Sequence, residues 1–235
     1  MKRPTKRRSA PVQISFEERR KLTKAGKAKK RPGPKPAARA SVRHRERPLH
    51  KRTTPLHITM RAVKGLPSFR TQTLWQSFMR AVRGTRREGF RIVEFSVQSN
   101  HVHLIVEATD KATLASGMKS FSVRANRLFN SALGRGRGRV WGDRYHRRDL
   151  TSPRQVRNAI VYCLANYKKH ENVPAGKLTI DPCSSAPWFT GWSITRTQRA
   201  GDDERPNEGA ETFLLKVLWR RHGLIHPGER PLHPS

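Results

Sequence analysis

Residues 91–107 restrict the fold more than any other stretch, because apolar and polar side chains alternate on both sides of a short polar break at Ser99-Asn100. A period of two marks a strand with one buried face. Two such runs joined by a tight polar turn make an antiparallel hairpin. The first run is expected to bury Val93, Phe95 and Val97. In the second, Val102, Leu104 and Val106 point one way while His101, His103 and Ile105 point the other. Two imidazoles then share one face, with Cα atoms roughly 6–7 Å apart, near enough to converge on one cation. A His-x-His pair also occurs as two ordinary polar residues on a solvated sheet face, so it needs support from elsewhere in the chain.

The rest of the chain supplies a frame for the hairpin. Leu56, Ile58, Met60 and Ala62 alternate with His57, Thr59, Arg61 and Val63, which predicts a first strand broken by Gly65 and Pro67. Leu74, Trp75, Phe78 and Val82 follow at helical spacing within 69–87, and Gly89 stops them. After the histidine strand, Leu114, Met118, Phe121, Ala125 and Leu128 predict a second helix that shows Lys119, Arg124 and Arg127 on another side. A glycine-arginine run at 134–139 lacks the lysine and spacing of a nucleotide-binding P-loop, which argues against ATP. Residues 140–150 read as extended, with Trp141, Tyr145 and His146 set among Arg144, Arg147 and Arg148. Ser152 and Pro153 then form an N-cap and first turn, opening a helix to about His170. The order βαββαβ predicts an α+β, ferredoxin-like fold: an antiparallel sheet backed by two helices, with the late helix appended.

Charge decides the class of partner. Lys and Arg number 50 against 17 Asp and Glu, giving a formal charge of +33 and a pI near 11.7. Self-repulsion of that size calls for a polyanion, and nucleic acid is the expected one. No apolar run approaches the roughly 18 residues that a membrane span needs, and the basic N-terminus has no secretory apolar segment. The two cysteines, Cys163 and Cys183, form neither a disulfide framework nor a zinc spacing, which suits a reducing cytosol, and a nucleic-acid partner would place the chain beside the nucleoid. Residues 1–52 are rich in Lys, Arg and Pro and poor in large apolar side chains, so they are expected to be a disordered basic tail with at most a short helix over 16–24. A folded domain is expected over 53–190, and 191–235 reads as an extension with a short helix.

The appended helix brings the support that the histidines need. Val156, Ile160, Cys163 and Tyr167 make its apolar seam, which leaves Asn158, Tyr162 and Asn166 on another stripe. Tyr162 and Asn166 stand at i and i+4, one above the other. If that stripe faces the histidine strand, a phenol and an amide lie beside the bound cation.

With these residues in place, the chain resembles the single-tyrosine HUH transposases, and within them the REP-associated tyrosine transposases. The resemblance rests on Asn100-His101-Val102-His103-Leu104, on Tyr162-x-x-x-Asn166, on the Arg/Trp-rich segment 140–145 and on Ser184-Ser185-Ala186, and it covers about residues 54–190. It implies that His101, His103 and Asn166 ligate a divalent ion, Mg²⁺ or Mn²⁺, and that Tyr162 attacks single-stranded DNA. The implied product is a 5′-phosphotyrosine bond that allows nicking and rejoining of hairpin-forming repeats, by a protein that works as a homodimer. Arg124, Arg127, Arg144, Arg147 and Arg148 are the expected DNA contacts, and Tyr145 is the competing nucleophile.

Two other readings stand beside this one. A non-catalytic DNA- or RNA-binding protein on the same scaffold would display aromatic residues for base stacking, where this strand displays histidines. A hydrolase that activates water would need an acid near His101, and Glu94 and Glu107 fall into no such pattern.

Overall fold

The computed structural model describes residues 49–170, 174, 178–194 and 205–231. The basic tail expected over 1–52, with its helix at 16–24, lies outside the described residues except for its last four positions.

The alternating segments pair into one antiparallel sheet in the order β2-β3-β1-β4, formed by β1 (Leu56–Arg61), β2 (Phe90–Val97), β3 (His101–Ala108) and β4 (His146–Asp149). Register sets what each face carries. Ile58 lies opposite Leu104 and Met60 opposite Val102, while Thr59 lies opposite His103 and Arg61 opposite His101. One face is therefore apolar along both central strands, and the other carries the imidazoles.

Helices α1 (Gln72–Arg83) and α2 (Lys111–Ala132) cover the apolar face. Phe78, Phe121, Phe129 and Leu104 are completely buried between the layers, and losing one such side chain to alanine costs about 2–5 kcal/mol. The first helix starts at Gln72, later than the sequence predicts. The amide of Phe69 is instead bonded to Ser99 O at 2.8 Å, and Arg70 pairs with the buried Asp181 at 2.9 Å. The apolar seam of α2 continues through Phe129 and leaves Leu128 half-exposed, as a period of 3.6 requires four positions after Ala125. Asp110 caps this helix by accepting the amide of Thr113 at 2.8 Å.

A β-bulge between Ile92 and Glu94 corrects one expectation. It inserts Val93 as an extra residue, so Val93 joins the core on the imidazole face while Phe95 and Val97 stay on the other. The carbonyls displaced by the bulge find partners far along the chain. Glu208 donates its amide to Ile92 O, and the Asn207 side chain donates to Val93 O.

The imidazole face is covered by α3 (Pro153–Ala165), which the short α4 (Tyr167–His170) follows, and by the C-terminal segment with α5 (Phe213–Lys216). Ser152 and Pro153 open α3 as predicted, with the Ser152 hydroxyl accepting from the amide of Gln155. Ile105, Val156, Ile160, Leu164, Leu215, Trp219 and Ile225 form one buried cluster there. Polar ties hold the late segment in place. Glu107 accepts from the amides of Glu211 and Thr212 at 2.8 and 2.9 Å, and Arg157 makes a forked pair with Glu229 at 3.0 and 2.8 Å. Residues 183–185 run along the outer edge of β2, where Val97 donates to Cys183 O and Ser185 to Phe95 O.

Candidate active site

Strand alternation and helical periodicity bring four predicted side chains to one place. His101 and His103 project from β3 with ring centroids 4.8 Å apart. Tyr162, from the third turn of α3, sets its ring edge-on to His103 at 5.0 Å. Asn166, which caps the helix, donates its side-chain amide to His103 Nε2 at 3.3 Å. His103 and Asn166 are only 3 % and 2 % exposed, whereas Tyr162 and His101 are half-buried.

The hydrogen bonds fix the tautomers. Because Asn166 donates to Nε2 of His103, that nitrogen carries the lone pair. Nδ1 therefore holds the proton and donates to Thr59 Oγ1 at 3.2 Å. His101 behaves alike, with Nδ1 donating to Asn100 Oδ1 at 2.8 Å. Each imidazole thus carries its lone pair on Nε2, which on His103 accepts from Asn166, with Nδ1 oriented by a polar partner as in metal-binding histidines. No group of three or more His, Cys, Asp or Glu able to hold a metal occurs among the described residues. The donor set is therefore two imidazoles and the Asn166 amide, which also carries an oxygen donor. It fits a divalent cation that takes its remaining ligands from water or phosphate.

Burial pushes the Tyr162 phenol above its ordinary value, and the Arg61 guanidinium, two residues along β1 from Thr59, works in the opposite direction. Burial likewise drives the Cys163 thiol well up, so this neighbour of Tyr162 is no nucleophile. The chain's other two tyrosines lie elsewhere. Tyr145 packs against the core on the α1–α2 face, and the Tyr167 hydroxyl donates to Thr179 O at 2.6 Å.

The sequence reading passed over His57. It lies on the same face of β1, diagonal to His103, with ring centroids 5.2 Å apart and nearly parallel planes, and 5.6 Å from Tyr162 edge-on. Burial, then Arg148 and His146, lower its pKa to about 4, so the ring is neutral at physiological pH. The available signal was the alternation of β1 itself, which puts His57 on the Thr59 side.

The five arginines expected to meet DNA divide between the two faces. Arg148 lies opposite His57 in register. Arg127, Arg144 and Arg147 line an open groove of about 860 Å³ on the other face, floored by Met60, Leu114 and Met118. Arg124 borders a neighbouring hollow of about 470 Å³ that shares Lys119 and Arg127 with it. Arg147 is also tied to Asp149 at 2.7 and 2.8 Å. Glu107 anchors the C-terminal segment, and Glu94 is buried against Ser185, so neither acid serves the histidines.

Residues 57–159 match the family model of IS200-like transposases. Over that span, 103 of the chain's 235 residues, the chain is similar to the IS200-like transposases. That match contains His101, His103 and most of α3, and it ends just before Tyr162. Among solved structures, the chain is similar in fold to a REP-associated tyrosine transposase bound to a REP hairpin, at 18 % identity and a TM-score of 0.52, over 68 % of this chain and 93 % of that one. No curated protein sequence matches the chain. No helix among the described residues is long and apolar enough to cross a membrane.

Proposed function

We propose that this chain is a transposase that nicks and rejoins single-stranded, hairpin-forming DNA through a covalent phosphotyrosine intermediate. The observation that carries the reading is the meeting of Tyr162 and Asn166, from one helix, with His101 and His103, from one strand, within 5.0 Å and 3.3 Å contacts at His103. In this reading His101, His103 and Asn166 hold a divalent ion, Mg²⁺ or Mn²⁺. When bound, the ion neutralises charge on the scissile phosphate and orients it.

The chain's own residues do the rest. The Tyr162 oxygen attacks phosphorus, forming the tyrosyl O–P bond as the bond to the 3′ oxygen breaks. The leaving strand ends in a 3′ hydroxyl, which takes up a proton in place of the one the phenol gives up. One phosphoester replaces another, so no nucleotide cofactor is consumed and the step runs backward to rejoin DNA. Arg61 offsets the burial that raises the phenol's pKa. The groove bearing Arg127, Arg144 and Arg147 takes phosphates away from the reacting point, as expected for positioning contacts. Arg148 and Arg124 extend that contact on either face. The likeness to a hairpin-bound transposase supports a hairpin substrate, and the homodimer enters on family resemblance alone.

The test is incubation of the protein with labelled single-stranded hairpin DNA and Mn²⁺, with EDTA as control. A denaturant-resistant protein–DNA species that chelator abolishes is the expected result. Tight binding without a covalent product would leave a non-catalytic DNA-binding protein.

A further inference from the structure

We infer that His57 is a positioning residue: its ring is the wall on which both the Tyr162 phenol and the His103 imidazole are held in their reacting orientations. The inference rests on the proposed tyrosine chemistry and adds a residue to it.

Three observations carry it. First, His57 touches both groups at once. It is stacked on His103 at 5.2 Å with planes 30° apart and lies edge-on to Tyr162 at 5.6 Å with planes 68° apart. His103 and Tyr162 are themselves nearly perpendicular, at 85° and 5.0 Å. The three rings form a closed triangle, so tilting either reacting ring requires moving His57. Second, Nε2 of His57 is buried and has no hydrogen-bond partner among the described residues. Its hold on its two neighbours is therefore exerted by ring packing. Third, the backbone beneath it is stiff. Residue 57 lies in a central strand, paired with Ile105 of β3 on one side and with Arg148 of β4 on the other.

A helix-borne nucleophile needs such a wall. Tyr162 comes from an appended helix, whereas the histidines that it must meet come from the sheet. A misplacement of about 1 Å costs on the order of 100-fold in rate. The hydrogen bonds of His103 to Thr59 and Asn166 act in its ring plane. The stacked ring of His57 restrains tilting out of that plane.

The experiment compares His57→Ala, which removes the wall, with His57→Phe, which keeps a flat ring of similar size without the nitrogens. Single-turnover adduct formation and DNA affinity are measured for each on hairpin DNA, with Mn²⁺ affinity read by electron paramagnetic resonance in the absence of DNA. His57→Ala is expected to form adduct about 10- to 100-fold more slowly, with unchanged DNA affinity and severalfold weaker Mn²⁺ binding. His57→Phe is expected to stay within about threefold of wild type in every readout. A His57→Phe rate as low as that of His57→Ala would overturn the proposal, because the nitrogen would then be what matters. Wild-type rates in both variants would overturn it as well. Failure of the wild-type protein to form any adduct would instead count against the tyrosine chemistry itself.

Discussion

The side-chain amide of Asn166 donates to Nε2 of His103 at 3.3 Å, joining the C-terminal cap of α3 to the middle of β3. This single contact sets the His103 tautomer, leaving the lone pair on Nε2 and the proton on Nδ1 toward Thr59. It also places the only amide of the ligand set where an ion bound to His103 would meet it.

Thr59 is the outer partner of the same ring, accepting from Nδ1 at 3.2 Å. Thr59→Val keeps the shape and removes the acceptor, so His103 loses the bond that orients it. Mn²⁺ affinity is expected to fall about 10- to 100-fold, as measured by titration, with the melting temperature little changed.

Glu94 makes stability depend on pH. Burial raises its pKa from 4.5 to about 7, against the hydrogen bond from Ser185 and the charge of Arg205. The folded protein favours the protonated acid. The stability that follows is complete below pH 4.5 and is lost as pH rises through 7, a change of about 3 kcal/mol at about 1.4 kcal/mol per pH unit. Glu94→Gln can still accept from Ser185 and does not ionise. Its stability relative to wild type should rise by about that amount between pH 5 and 8 in denaturant titrations.

The groove on the α1–α2 face gives a prediction about salt. Arg127 and Arg144 line it and are exposed. If each neutralises one phosphate, Arg127→Ala and Arg144→Ala should each weaken hairpin binding and lower the salt slope of log K by about 1. The rate of adduct formation at saturating DNA should stay the same, since neither residue reaches the imidazole face.

Local patterns made much of this molecule legible. The strand alternation at 56–63 and 91–107, the Ser152-Pro153 helix start and the i, i+4 placement of Tyr162 and Asn166 all depend on neighbours a few residues away. The features that escaped depend on distant partners. Val93 changes face because its bulge is completed by Asn207 and Glu208. The late segment packs onto α3 through Arg157 with Glu229 and through Trp219 in the shared cluster, ties that no periodicity announces. His57 was visible only as one polar residue in an alternating strand. Its meaning comes from the register of β1 against β3, which sets it diagonal to His103.

Identifying the residue that becomes linked to DNA tests the central claim most directly. The chain has three tyrosines, so adduct formed with hairpin DNA and Mn²⁺ can be digested and the modified peptide located by mass spectrometry, in wild type, Tyr162→Phe and Tyr145→Phe. The phosphonucleotide is predicted on Tyr162, with adduct lost in Tyr162→Phe and retained in Tyr145→Phe. Adduct that persists in Tyr162→Phe, or a modified Tyr145, would contradict the account.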